Sequence, residues 1–402
     1  MSRWPLKPIG EICEVNPRLP RGHSVTDDQI VSFVPMAAVD EVSGTIQAHQ
    51  TRPYAEVKKG YTHFKDGDVL FAKITPCMEN GKAAIASELA GGLGFGSTEF
   101  HVLRARGEVL PEWLFYFIRQ PAFRREAKRN FTGTAGQQRV PTTFLASATL
   151  PVPPLPEQRR IVDLLSRAEG IVRLRREAEK KAAELIPALF LDMFGDPGRN
   201  PKGWAMRKVS DFVSRFEAGK NLQAGSENGS PYRILKVSAV TSGQYRESES
   251  KPTPDGYVPP SAHIVRVGDM LFSRANTEEL VGATAIVEST NGKTLLPDKL
   301  WRMVWAEPAE PLYMHAIFQS PHVRQELGKL SSGTSASMRN ISQSKLFDLA
   351  LPIAPHAWQK RFADQAASAR SISAQQATAT AKAQATFDAL LARVFSSWEP
   401  SE

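Results

Sequence analysis

The run Thr132-Gly133-Thr134-Ala135-Gly136-Gln137-Gln138-Arg139 gathers hydroxyls, amides and a guanidinium on a backbone loosened by glycines. Such side chains read nucleic acid. Arg bonds guanine bidentately, Gln and Asn bond adenine, and Ser or Thr reaches base or phosphate. A second run, Ser332-Gly333-Thr334-Ser335-Ala336-Ser337-Met338-Arg339-Asn340, offers the same chemistry about 200 residues later. The candidate DNA contacts are Thr134, Gln137, Gln138 and Arg139 in the first run, and Thr334, Ser335, Ser337, Arg339 and Asn340 in the second. Arg124 and Arg324, just upstream of the two runs, are candidates for phosphate. Another matched pair, Lys73-Ile74-Thr75 and Arg274-Ala275-Asn276, adds Lys73, Thr75, Arg274 and Asn276. The competing reading is of solvated loops and structural turns.

Catalytic patterns fail when tested. Residues 91–96 form a glycine cluster, but no helix follows to place its N-terminus at a phosphate. Gly292-Lys293-Thr294 ends like a phosphate loop but has Val287 where that loop needs glycine. Ser230-Pro231-Tyr232 lacks the Asn/Asp-Pro-Pro-aromatic pattern of amino-methyltransferases, and Pro297-Asp298-Lys299 lacks the spaced acidic partner of a nuclease. The 8 histidines are scattered, and no Cys/His spacing suggests zinc. No catalytic residue, metal ligand or cofactor is assigned to this chain.

The candidate loops sit in a repeated frame. Trp4-Pro5-Leu6-Lys7 aligns with Trp204-Ala205-Met206-Arg207, and residues 64–74 align with 265–275. Residues 120–127 align with 320–327, and 150–161 with 351–362. The order is constant, so the chain reads as A-B-A′-B′. The expected domains are residues 1–155, a helix over 156–197, residues 198–355, and a helix over 356–402. Each A unit reads as α+β. Apolar runs at 69–74, 100–105, 270–274 and 301–305 suggest strands, with turns at Gly67-Asp68 and Gly268-Asp269. One helix is expected at 112–120 and one at 312–320, each ending at a proline.

Each B unit reads as a helix with a heptad seam. The first seam is Ile161, Leu164, Ala168, Ile171, Arg175, Ala178, Ala182, Leu185 and Leu189. The second is Phe362, Ala366, Ala369, Ile372, Gln376, Ala379, Ala383, Phe387, Leu390 and Val394. Each helix could pack on its own A unit, but two matched seams favour mutual pairing. At about 1.5 Å per residue such a rod is roughly 50–60 Å long.

The chain has 402 residues and a formal net charge of +8, which favours a polyanionic partner. Its 2 cysteines cannot build a disulfide framework, so a reducing cytoplasm is expected. The first residues lack the apolar run of a signal peptide, and no stretch approaches a membrane span.

Three segments carry a resemblance to a known family. They are LPEQRRIV at 155–162, LFLDMFGDPGRNPKGW at 189–204 and FAKITPCMENGKAA at 71–84. Together with the duplication, they resemble the specificity subunits of type I restriction-modification enzymes. The second copy departs from the pattern, with His356-Ala357-Trp358 in place of Leu-Pro-Glu and no Phe-Gly-Asp-Pro closure. The resemblance implies a non-catalytic subunit with two target-recognition domains, each reading half of a bipartite DNA site. It implies that the two helices form an antiparallel coiled coil that sets the unread spacer. It also implies docked modification subunits, two in number, that methylate adenine N6 from S-adenosylmethionine, and restriction subunits that use ATP and Mg to translocate DNA. A stand-alone duplicated DNA-binding regulator and a protein-binding scaffold without DNA affinity are the alternatives.

Overall fold

The computed structural model describes residues 4–396 except 21, 48, 49, 135, 336 and 337, with backbone only for Thr334 and Ser335. The chain divides into two compact units: residues 1–177 with 378–402, and residues 178–377. Both long helices are shared between units.

The first unit is built on a four-stranded antiparallel sheet in the order Cys13–Val15, Phe100–Ala105, Val69–Ala72, Ala83–Ile85. Val69-Leu70-Phe71-Ala72 is buried along its whole length, as expected of a strand covered on both faces. A second sheet runs Gln50–Pro53, Ile30–Val34, Leu93–Gly96, Thr62–Lys65, with its two middle strands parallel. The core packs Trp113, Phe117 and Phe123 against Phe71 and Leu103.

The second unit repeats the central sheet with the order Val213–Ala218, Leu300–Trp305, Met270–Ser273, Thr284–Ile286. In both units the glycine before the central strand has a positive φ, 85° at Gly67 and 89° at Gly268. The aspartate after it pairs with an arginine of the neighbouring strand. Arg104 bonds Asp68 through Nε (2.9 Å) and Nη2 (2.7 Å), and Arg302 Nη2 lies 2.8 Å from Asp269. The turn was legible in the sequence; the buried ion pair was not.

Where one helix per unit was expected, there are two. Pro111–Arg119 is followed by Pro121–Arg129, and Pro311–Gln319 by Pro321–Leu330. The proline that ends the first helix starts the second. Gln120 and Ser320 are extended, as a residue before proline prefers, and proline fits the first position of a helix.

The arm helices run Leu155–Phe194 and His356–Val394. In the first unit, Ile161, Leu165 and Val172 share a core with Phe387, Leu391 and Phe395. In the second, Phe190 and Phe194 share one with Phe362 and Ala366. There the pairing is antiparallel: Ser373 Oγ donates to Ala182 O (3.1 Å), and Phe190 meets Phe362 with ring centroids 5.8 Å apart.

The expected first seam is displaced in part: Ile161 and Ala182 are buried, and Ala168 and Leu189 partly so. Leu164, Ile171 and Leu185 are exposed, while Leu165, Val172 and the partly buried Ile186 face inward. The cause is a run of adjacent apolar pairs, Leu164-Leu165, Ile171-Val172 and Leu185-Ile186, which offers two stripes one residue apart, about 100° around the helix. In the second arm, Ile372 is exposed and Ser373 takes the inward position.

Candidate nucleic-acid interface

The strand-end segment and the polar loop, far apart in sequence, meet in each unit. In the first, Val140 N donates to Lys73 O (2.9 Å) and Thr75 N to Gln138 O (3.0 Å). Arg139 bridges both Ile74 and Thr132. In the second, Ile341 N donates to Arg274 O (2.9 Å). There Ala275–Asn276, Met338–Asn340 and Ser332–Ser335 form a small antiparallel sheet, with Asn276 opposite Arg339. The sequence motifs were noted separately; the fold makes one surface of each pair.

Within that frame the candidates differ in availability. Thr134 and Gln137 are exposed, and Gln138 is half-buried. Arg139 is gripped by Glu99 through Nε (2.9 Å) and Nη2 (2.8 Å), and its Nη1 donates to Gln137 O. That pairing holds the Glu99 carboxyl below its ordinary range. Thr75 Oγ1 is buried without a partner among the described residues.

In the second unit Arg339 donates to Ser331 through Nε (3.1 Å, to Oγ) and Nη2 (3.3 Å, to O), with Glu278 at 3.6 Å. Arg274 Nε donates to Asp298 O (2.9 Å) and its guanidinium lies over the Trp301 ring. Asn276 Oδ1 accepts from Thr277 N (2.9 Å). Asn340 pairs with Ala275 and Ser332. Ser337 lies outside the described residues, as do the side chains of Thr334 and Ser335.

Arg124 and Arg324 do not present free forks to a phosphate. Arg124 Nη1 donates to Glu79 O (2.8 Å) and Arg324 Nη2 to Glu279 O (2.6 Å). Burial pushes both guanidinium pKa values down. The charge run around Arg124 invited the phosphate reading; the carbonyl partners lie in a loop that local sequence does not reveal.

Sequence reading also missed the residues that join each reader to its arm. Gln158, at the start of the first arm, is fully buried. Its Oε1 accepts from Leu110 N (2.8 Å) and its Nε2 donates to Glu108 O and Pro153 O (both 2.8 Å). Gln359 does the same work for the second arm, accepting from Glu310 N (3.2 Å) and donating to Ala354 O (2.8 Å). Leu110 and Glu310 cap the domain helices that begin at Pro111 and Pro311. The available signal was the glutamine's presence in both copies of the launch.

An open cleft of about 590 Å3 adjoins the first ladder, with Asn16, Arg18, His23, Tyr54, Lys58 and His63 among its walls. Asn16 bonds the buried His101, whose Nε2 lies 2.8 Å from Val140 O. Lys58 is bonded to Asp27 and His23 to Tyr54. Among the described residues no helix is long and apolar enough to cross a membrane.

A family model described as the type I restriction modification DNA specificity domain matches residues 1–184. The type I restriction enzyme EcoEI specificity subunit of Escherichia coli is 28% identical over 455 residues, covering 89% of this chain and 76% of that protein. The EcoAI specificity subunit of the same species is 40% identical over 161 residues, 40% of this chain and 27% of that protein. A solved chain from a study of complex assembly and conformational transition in the type I R-M system shares the fold. It has a TM-score of 0.61 and 21% identity, and the match covers 98% of this chain and 97% of that one.

Proposed function

We propose, for a chain that belongs to the specificity subunits of type I restriction-modification enzymes, that it reads a bipartite DNA site with its two ladder-and-loop surfaces. The first reader comprises residues 73–75 and 132–139, the second residues 274–276 and 332–340. The observation that carries this is the twofold recurrence of one arrangement: a strand end and a Ser/Thr/Gln/Asn/Arg-rich loop paired across the same backbone bonds. Frame bonds agree between units while loop side chains differ, as expected of one scaffold reading two targets. The positive net charge supports affinity for the phosphate backbone.

The arms set the number of unread base pairs between half-sites. Leu164, Ile171 and Leu174 on the first arm are exposed apolar side chains, which suits docking of modification subunits. The chain itself is not catalytic. In the assembly, which works in the cytoplasm, two modification subunits bring S-adenosylmethionine for adenine methylation. Restriction subunits bring ATP and Mg for translocation and cleavage.

The test is exchange of residues 134–139 for the corresponding loop of a subunit with another target, followed by mapping of methylated adenines in genomic DNA. One half-site should change and the other persist. Loss of both, or change in neither, overturns the loop assignment.

A further inference from the structure

The strand-end segments of the two readers belong to loops that leave the central strands: residues 73–82 return to Ala83–Ile85, and 274–283 to Thr284–Ile286. One end of each loop is fixed by the ladder to Arg139 or Arg339. Along the first loop run short-range turns, such as Met78 N to Ile74 O (2.9 Å) and Asn80 N to Pro76 O (3.0 Å), while Lys73 N donates to Glu99 O (2.9 Å) and the Met78 side chain is buried in the core. The second has turns of its own, Leu280 N (3.1 Å) and Val281 N (2.8 Å) to Thr277 O, with Arg274 N donating to Lys299 O (3.1 Å) and Val281 buried in the core.

Against the far end of each loop lies an arginine from the second domain helix. Arg124 Nη1 holds Glu79 O at 2.8 Å, and Arg324 Nη2 holds Glu279 O at 2.6 Å. Each rests on a glycine with left-handed backbone, Gly81 at φ 84° and Gly282 at φ 82°. A Cβ on Gly81 would stand 2.9 Å from Arg124 Nη1; one on Gly282 would stand 2.8 Å from Leu327 and 3.2 Å from Arg324 Nη1. The glycine is needed twice, for its φ and for the space the guanidinium occupies. In the first unit Lys128 adds an ion pair to the Glu79 carboxylate. The two braces differ in detail, Nη1 against Nη2 and with the braced carbonyl two residues before Gly81 but three before Gly282, yet each ties the second domain helix to the same loop, so a brace of this kind belongs to the reading frame, not to one target.

We propose that Arg124 and Arg324 are positioning residues for half-site discrimination, each bracing the loop that presents its reader's strand end, and that neither contacts phosphate. This rests on the specificity-subunit reading. Each arginine acts on its own half-site alone, through Thr75 in the first unit and Asn276 in the second.

The experiment uses the full chain assembled with its modification subunits. It measures binding to DNAs mismatched in one half-site or the other, across a range of salt. Arg124→Gln should lower discrimination at the first half-site about ten-fold. It should leave the second half-site and the slope of log K against log salt unchanged. Arg324→Gln should do the converse. Gly81→Ala and Gly282→Ala attack the same braces without altering charge, so they should reproduce each pattern and carry the test if an arginine variant fails to fold. A salt slope reduced by about one in Arg124→Gln would mark a lost phosphate contact and overturn the proposal. So would equal loosening of both half-sites, or no loss of discrimination in any variant. A wild-type complex without sequence-dependent DNA binding would instead remove the specificity-subunit reading beneath it.

Discussion

In the first unit the arginine that closes the candidate loop is gripped by a carboxylate from elsewhere in the fold, Arg139 to Glu99. In the second, Arg339 leans on Ser331, the residue that ends its preceding helix, with Glu278 further off at 3.6 Å. The backbone ladder beneath recurs, but Arg139 stands opposite Ile74 whereas Arg339 stands opposite Asn276, one place along, and Asn340 takes the ladder place of Arg139. The duplication therefore holds main-chain geometry fixed and lets the side-chain anchors drift. A reader built this way can change target without losing its frame, because backbone bonds do not depend on which residues bear them.

The arm launches show the same contrast with higher stakes. Gln158 satisfies three buried or partly buried backbone groups and Gln359 two. Truncation strands those groups, at about 1–3 kcal/mol each. Gln158→Ala should cost about 3 kcal/mol or more, and Gln359→Ala about 2 kcal/mol. Hydrogen exchange on the full chain, read separately at Leu110 and Glu310, measures both. An equal loss, or a larger one at Gln359, would break the ranking of the two launches.

Much of this was legible in advance, for identifiable reasons. The duplication, the α+β units and the long arms leave strong periodic or repeated signals. The candidate loops stand out by composition. What failed was what depends on which of two neighbours faces inward. Leu164-Leu165 and Ile171-Val172 satisfy either stripe, and only tertiary packing against Phe387 and Leu391 decides between them. Arg124 has a partner that local pattern does not show, for a related reason. A basic run marks a surface, but a guanidinium can still be recruited by a carbonyl brought near through a loop closure invisible to local pattern. Glu99 gave no warning, since its partner lies forty residues on.

A titratable group separates the units next. Phe115 and His315 occupy matched places in the repeat. Burial pushes His315 down to about 4, and its Nδ1 lies 2.9 Å from Thr284 Oγ1. Above pH 6.5 the ring is neutral in folded and unfolded chains alike, and its full contribution is present. Between pH 6.5 and about 4 only the unfolded chain takes up the proton, so stability falls with pH, by about 1.4 kcal/mol per pH unit. His315→Phe should remove that share of the acid sensitivity of the second unit and leave the first unit's unchanged. Exchange-derived opening free energies at pH 7 and pH 5 provide the measurement. The same loss in variant and wild type would show that His315 is not its source.

The smallest expected effect bears most directly on the two loops. Glu99 is ionised at neutral pH, and its pair with Arg139 is partly exposed, so the pair contributes little to stability. Glu99→Gln should speed amide exchange across residues 132–139 several-fold and leave residues 332–340 as they were. It also frees a guanidinium beside the exposed Gln137, so non-specific DNA affinity should rise and its salt slope steepen by about one. Acid should act in the same direction. The Glu99 carboxyl titrates below its unfolded value, so the pair is intact above the usual carboxylate range and is lost as pH falls through the lowered one. The serine that holds Arg339 does not titrate, so the second loop should keep that anchor. If both loops loosen together on acidification, the anchors are not what distinguishes the readers, and the difference must lie in the loop residues themselves.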